Sequence, residues 1–227
     1  MKLSNETIDV LKNFSTINSG MWFKSGTKLS TVSPNKNILA TAGIKDVIPS
    51  EFGIYDLNNL LRLLELEADC PELEFDKNTV IIKGLNGRSK IKYLFAAQDM
   101  IVTPPDKQIT LPSVECKFTM SEKDYSWIMK TAALLSSPHI VIENKDGEIV
   151  LTTCDMKDDS KSTNSITMGE DTSEGSYKFT FATENFKMIP GTYTVEVAKK
   201  GMGHFTNTAK DIQYWITLEP KFSKYEG

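Results

Sequence analysis

The chain has 227 residues, with 26 Lys and Arg against 30 Asp and Glu, a net charge of −4 and 40% apolar residues. That length suits two domains of about 110 residues and buries a sizeable core without covalent staples. The mild acidity argues against a wholly basic nucleic-acid binder but leaves room for cations gathered on one surface.

Three scattered cysteines, Cys70, Cys116 and Cys154, make no CxxC pair and fit free thiols in a reducing compartment. The opening MKLSNETIDVLKNF interrupts its apolar residues with Asn, Glu, Asp and Lys, unlike a signal peptide. No run approaches the ~18 apolar residues of a membrane span. The expectation is a soluble intracellular protein.

The first predicted element is a helix with Ser4 as N-cap and Glu6 and Asp9 in or near its first turn, where acids suit the helix dipole. Ile8, Leu11 and Phe14 recur at helical spacing as a buried stripe, and Asn5, Asp9 and Lys12 share the opposite side. GMWFKSG, TKLSTVS and ILATAGI then read as three short strands. FGIYD alternates as a strand and runs into a helix over 57–67 that Asp56 can cap. Leu57, Leu60, Leu61 and Leu64 fall on one face of that helix, with Asn58, Asn59 and Arg62 opposite. Pro71 lies beyond it as a stop. ELEFDK, TVIIKGL and SKIKYLFA supply three more strands, with turns at KN and NGR.

The stretch AAQDMIVTPPDKQITLP breaks this rhythm with three prolines and little periodicity. It places an extended connector over 98–112, between domains 1–97 and 113–227. VECKFTMS resumes as a strand. SEKDYSWIMKTAALLS is a helix with Ser121 as N-cap and Asp124 three residues on, a capping-box start. Tyr125, Ile128, Ala132 and Leu135 form its buried stripe, and Lys123 and Lys130, seven apart, share its polar face. PHIVIENKDGEIVLTTCDMK is a hairpin turning at Lys145-Asp146-Gly147. A short strand, SITMGED, precedes YKFTFATENFKMIPG, a strand leading into a very short helix with Thr183 as candidate cap and Pro190 as its end. GTYTVEVAKKG, MGHFTN and IQYWITLEP finish as strands, and KFSKYEG is a tail.

The order helix-then-three-strands occurs four times, beginning near residues 1, 51, 113 and 176. Four such copies split by one connector predict an α+β chain of two pseudo-symmetric domains, each with about eight strands and two helices laid on antiparallel sheets.

That pattern, with LSNETIDVLKNFSTINSG near the start, IYDLNNLL, the proline-rich connector and FKMIPGTYTVEV, resembles the sliding clamps of T-even-type bacteriophages. The resemblance spans the whole length and rests on collinearity, since no single motif is a chemical signature. It implies the DNA-clamp fold, a head-to-tail homotrimeric ring with helices lining the hole, and service as a polymerase processivity factor. Duplex DNA, the replicative polymerase, an ATP-dependent clamp loader and phage transcription factors are the partners it implies, in the cytoplasm of the infected bacterial host.

A ring that slides needs cations to hold phosphates without base contacts that would fix it to a sequence. The resemblance assigns that role to Lys12, Arg62, Lys123 and Lys130, with Lys187 on the fourth helix, and adds Asn5, Asn58 and Asn59 as neutral donors. The acidic surplus would lie outside, at Asp158-Asp159 and Glu170-Asp171. From the residues alone, ordinary solvated helix faces are the readier reading, since the acids Asp9 and Glu65 lie on or near them, and the resemblance reverses that balance. Clamps also carry a groove for partner peptides, and the matching stretches, DMIVTPP and WITLEPKF, offer Ile101, Val102, Pro220 and Phe222 as lining residues, with Tyr193 as a further candidate. The competing reading is that Ile101 and Val102 only pin the connector down, and both stand open.

Catalysis finds little footing. His139 and His204 are the only histidines, and no Cys or His pair has metal-ligand spacing. There is no G-x-S-x-G elbow and no G-x-x-x-x-G-K-[ST] loop. KGLNGRSK is read as a hairpin turn rather than a phosphate cradle. No enzymatic activity, cofactor or metal is expected. The alternative to a clamp is a non-catalytic, β-rich structural or adaptor protein of a phage.

Overall fold

The computed structural model describes every residue except 67–70, 85–87, 108 and 174. The last residue of the second helix as read above, Asn86 and Gly87 of the NGR turn, Cys70 and one position of the connector therefore lie outside the described residues. The chain forms two compact units, Met1–Asp106 and Lys107–Gly227.

In the first unit, α1 (Asn5–Ile17) starts as its sequence dictates, with the Ser4 hydroxyl accepting from the Thr7 N–H. Its buried side is wider than the predicted stripe. Val10, Leu11, Phe14 and Ile17 are core, whereas Ile8 is only half-buried. Strands β1 (Met21–Phe23), β2 (Gly26–Val32), β3 (Ile38–Ile48) and β4 (Phe52–Ile54) follow, with β1 paired to β4 and β2 to β3, both antiparallel. The helix α2 (Leu57–Leu66) begins where Asp56 Oδ1 accepts from the Asn59 N–H at 3.0 Å. Ten residues are too few for a stable isolated helix. Burial of Leu57, Leu60, Leu61 and Leu64 holds it, each such side chain contributing about 1.5–3 kcal/mol before chain entropy is subtracted. The strands β5 (Glu72–Phe75), β6 (Thr79–Gly84) and β7 (Ser89–Leu94) form a three-stranded antiparallel sheet. Phe52 joins these pieces, its ring centroid 4.6 Å from Phe23, 5.2 Å from Phe75 and 4.7 Å from Phe95.

The stretch after Ala97 opens with a single 3-10 turn, Gln98–Met100, and is otherwise irregular to β8 (Cys116–Met120) among the described residues. The helix α3 (Glu122–Leu134) carries the full capping box. The Ser121 hydroxyl accepts from the Asp124 N–H, and the Asp124 carboxylate accepts from the Ser121 N–H. Strands β9 (His139–Lys145) and β10 (Glu148–Cys154) form the predicted hairpin, and Asp146 (φ 55°) with Gly147 (φ 81°) supplies the left-handed pair that such a turn requires. With β11 (Asn164–Glu170), β12 (Ser176–Ala182) and β16 (Lys224–Glu226) they build a sheet ordered β11-β10-β9-β12-β16. A second set, β13 (Tyr193–Ala198), β14 (Met202–Asn207) and β15 (Ile212–Thr217), pairs in the order β8-β13-β14-β15.

Three expectations are corrected here. The predicted fourth helix is one 3-10 turn, Thr183–Asn185, whose cap position is Ala182, not Thr183. The cause lies in the next residues. Phe186 and Met188 are both buried at a spacing of two, which demands extended chain, and Pro190 then removes a donor. The second unit therefore has one α-helix among its described residues rather than two, while the seven and nine strands described in the two units match the expected number of about eight each. The predicted tail is also a strand: β16 pairs with β12 through Tyr177 opposite Tyr225. Finally, Leu135 caps α3 half-buried instead of joining its core stripe.

Candidate functional site

The outward face of α1 carries Asn5, Asp9 and Lys12, all exposed. Lys12 is not a free cation. Its Nζ lies 2.7 Å from Glu65 Oε1 on α2, and that hydrogen bond, followed by the carboxylate's charge, raises the lysine above its usual range. A second exposed pair, Lys45 with Glu6 at 2.9 Å, flanks the start of α1. Both belong to the class of surface pairs that add little stability. They still lower the local positive charge.

On α2, Asn58 and Arg62 are exposed opposite the four buried leucines. Among the described residues Arg62 has no ion-pair partner. Asn59 is in part structural, because its N–H is held by Asp56 and its side chain bonds Tyr93, whose hydroxyl donates to the Asp56 carbonyl at 3.0 Å.

On α3, Lys123 and Lys130 are exposed and have no ion-pair partner among the described residues. The neighbouring acid Asp124 is held in the capping box, its Oδ2 accepting from the Ser121 hydroxyl at 2.6 Å. Lys187 is exposed, but it stands on extended chain past the 3-10 turn rather than on a helix.

The acidic tracts are less free than their sequence suggests. Asp158 accepts from the Ser160 N–H and hydroxyl, and Lys161 lies 2.6 Å from Asp155. Asp171 accepts from Ser173 and from Asn144. Burial pushes its carboxyl upward, and these bonds more than offset that, leaving it lowered. Among the described residues no group of three or more His, Cys, Asp or Glu could hold a metal ion.

The proposed groove residues differ sharply from one another. In the first unit, Ile101 is 7% exposed and packs beside Gly53, where an added Cβ would come within 2.8 Å of Ile101 Cδ1. Val102 is exposed, and its carbonyl accepts from the Asn18 side chain at 3.3 Å. In the second unit, Pro220 is exposed and Phe222 half-buried, its ring edge-on to His139 at 5.1 Å. Burial lowers the His139 imidazole below its ordinary value, so the wall that Phe222 packs on is uncharged at neutral pH. Tyr193 is a correction. It is 0% exposed, its hydroxyl donates to the Ile189 carbonyl and burial pushes it up to about 12, so it is core and offers no surface.

Two features escaped the sequence reading. The Phe222–His139 contact joins residues 83 positions apart, and nothing local announces it. Trp127, 41% exposed, lies four residues after Lys123 and three before Lys130. Its spacing puts it on the side of Lys123 and Lys130, but spacing gives it no role there.

Comparison with known proteins gives a consistent result. The family model described as DNA polymerase processivity factor matches residues 4–103, and that of the gp45 sliding clamp C-terminal domain matches residues 117–220. The sliding clamp of Enterobacteria phage T4 is 35% identical over 223 residues, 96% of this chain and 97% of that protein. The sliding clamp of Vibrio phage KVP40 is 30% identical over 224 residues, 96% of this chain and 99% of that protein. In fold, the chain is similar to the proliferating cellular nuclear antigen of Entamoeba histolytica, with a TM-score of 0.66 at 12% identity over 94% of each chain.

Proposed function

Because the chain belongs to the sliding-clamp family of DNA polymerase processivity factors, we propose that it encircles duplex DNA as a homotrimeric ring and tethers the replicative polymerase for processive synthesis. The observation that carries this reading is the placement of cations. Lys12, Arg62, Lys123 and Lys130 are all exposed on helix faces opposite the buried stripes. Such side chains meet phosphates through long, loosely held stems, and an attraction that reads no base lets the duplex pass.

The domain division 1–97, 98–112 and 113–227 is supported by the meeting of the compact units at 106/107 and by the gap between the two family matches. Ile101 and Val102 in the first unit, and Pro220 and Phe222 in the second, are the residues we assign to partner-peptide binding, with Ile101 anchoring the segment that bears Val102. The chain supplies no bond-breaking chemistry on this reading. An ATP-dependent loader opens and closes the ring in the cytoplasm of the infected host, and phage transcription factors share the platform with the polymerase.

Nicked circular duplex DNA tests this. With its loader and ATP the protein should be retained on the circle and lost when the circle is cut. Retention on the linear form would overturn the sliding reading. Molar mass in solution should come out near three times 25.4 kDa.

A further inference from the structure

The exposed side of α3 has a composition that phosphate neutralisation alone does not require. At 100° per residue, Lys123, Trp127, Lys130 and Leu134 fall within about 60° of one another, opposite the buried Tyr125, Ile128 and Ala132. Trp127 is 41% and Leu134 83% exposed, so two large apolar groups stand in water beside two lysines without ion pairs among the described residues. No acid shares the stripe. Glu122 points well to one side, and Asp124 is turned back into the capping box.

We infer that Trp127 is a DNA-contacting residue, its indole lying against the sugar-phosphate backbone between the phosphates that Lys123 and Lys130 attract. The chemistry matches on both counts. The indole presents a flat apolar face to deoxyribose rings and one N–H to a phosphate oxygen, and neither contact reads a base. The flanking lysines supply the charge complementarity, with Trp127 midway between them in sequence. The inference rests on the DNA-encircling reading and assigns a friction element within it: a contact that forms and breaks as the duplex passes.

Trp22 and Trp215 are the other tryptophans, and Trp215 is 8% exposed and stacked on His204, so the difference between wild type and Trp127→Phe isolates the Trp127 signal. Clamp loaded by its ATP-dependent loader on nicked circular duplex DNA, purified by size, is probed with the neutral quencher acrylamide. The expected result is that Trp127 becomes protected on the circle and recovers when the circle is cut and the clamp runs off. Unchanged quenching in complexes that remain on the circle overturns the inference while leaving the ring reading intact. Failure to retain any complex sinks the ring reading and this inference with it. Protection by polymerase alone, without DNA, would make the stripe a protein-docking face and equally overturn it.

A second readout is one-dimensional diffusion of the loaded clamp. Losing cover over about 20–40 Å² of indole in Trp127→Ala should speed sliding roughly two- to fivefold, with Trp127→Phe restoring most of the friction. Equal diffusion of Trp127→Ala and wild type would count against the contact.

Discussion

Lys12 on α1 and Glu65 on α2 meet at 2.7 Å, so one of the four helix cations is already partly neutralised before any phosphate arrives. Replacing the acid releases the lysine. Glu65→Gln should leave the melting temperature essentially unchanged, since both partners are about half exposed. It should also steepen the salt dependence of DNA retention, by about 0.9 in log–log slope for each lysine that gains a phosphate. Titrating salt against the loaded complex measures this; an unchanged slope would mean that Lys12 does not face the duplex.

Charge reversal makes the complementary test. The set Lys12→Glu, Arg62→Glu, Lys123→Glu and Lys130→Glu should keep the oligomer intact, because all four side chains are exposed, and should abolish processive synthesis. Product length on a primed long template, read beside molar mass, separates the two effects.

Asp46 anchors the start of α1 from β3. Its Oδ2 accepts from the Ser4 N–H at 2.8 Å and the Ser4 hydroxyl at 2.7 Å. Burial pushes this carboxyl up, but hydrogen bonds from Thr7 and Ser4 together outweigh it, so the folded value lies below the ordinary 3.8. The sign follows. The stabilisation is fully present above pH 3.8 and is lost as pH falls through the lower folded value. Asp46→Asn should cost about 1 kcal/mol at neutral pH, the usual net worth of a hydrogen bond, and its melting temperature should fall less steeply with acidification than wild type. Parallel acid profiles would remove Asp46 from this role.

Gly53 tests how the segment after Phe95 is held. A Cβ there would sit 2.6 Å from the Ala96 carbonyl oxygen and 2.8 Å from Ile101 Cδ1. Gly53→Ala should therefore destabilise the first unit by about 1–3 kcal/mol and expose residues 96–106 to protease. A denaturation midpoint equal to wild type would show that the segment moves aside freely.

Phe222→Ala should weaken polymerase binding about tenfold, the loss typical of one aromatic anchor near an interface centre, without changing the oligomer. Equal affinity in a direct titration would withdraw Phe222 from the groove.

Much of the fold was legible because its signals are local. The caps at Ser4, Asp56 and Ser121 sit beside the helices they start, and the four leucines of α2 declare its face by period alone. The failures are tertiary. Phe186 and Met188 are buried two residues apart, which only the packing around them reveals, and β16 becomes a strand because β12 lies beside it. Tyr193, a groove candidate only through the resemblance, makes edge-on contacts with Tyr125 and Tyr214 and lies inside. For the cationic faces, spacing identified which side of each helix is exposed. Nothing in the spacing says what that side meets, and pairs such as Lys12 with Glu65 join helix residues 53 positions apart.

Asp124 is held by Ser121 and so helps to start α3 without standing among its lysines. Foldability and grip are thereby written in different residues of one helix. Relatives could drift in overall charge, or retune how tightly they hold a duplex, through Lys123, Trp127 and Lys130 while the helix start stays fixed.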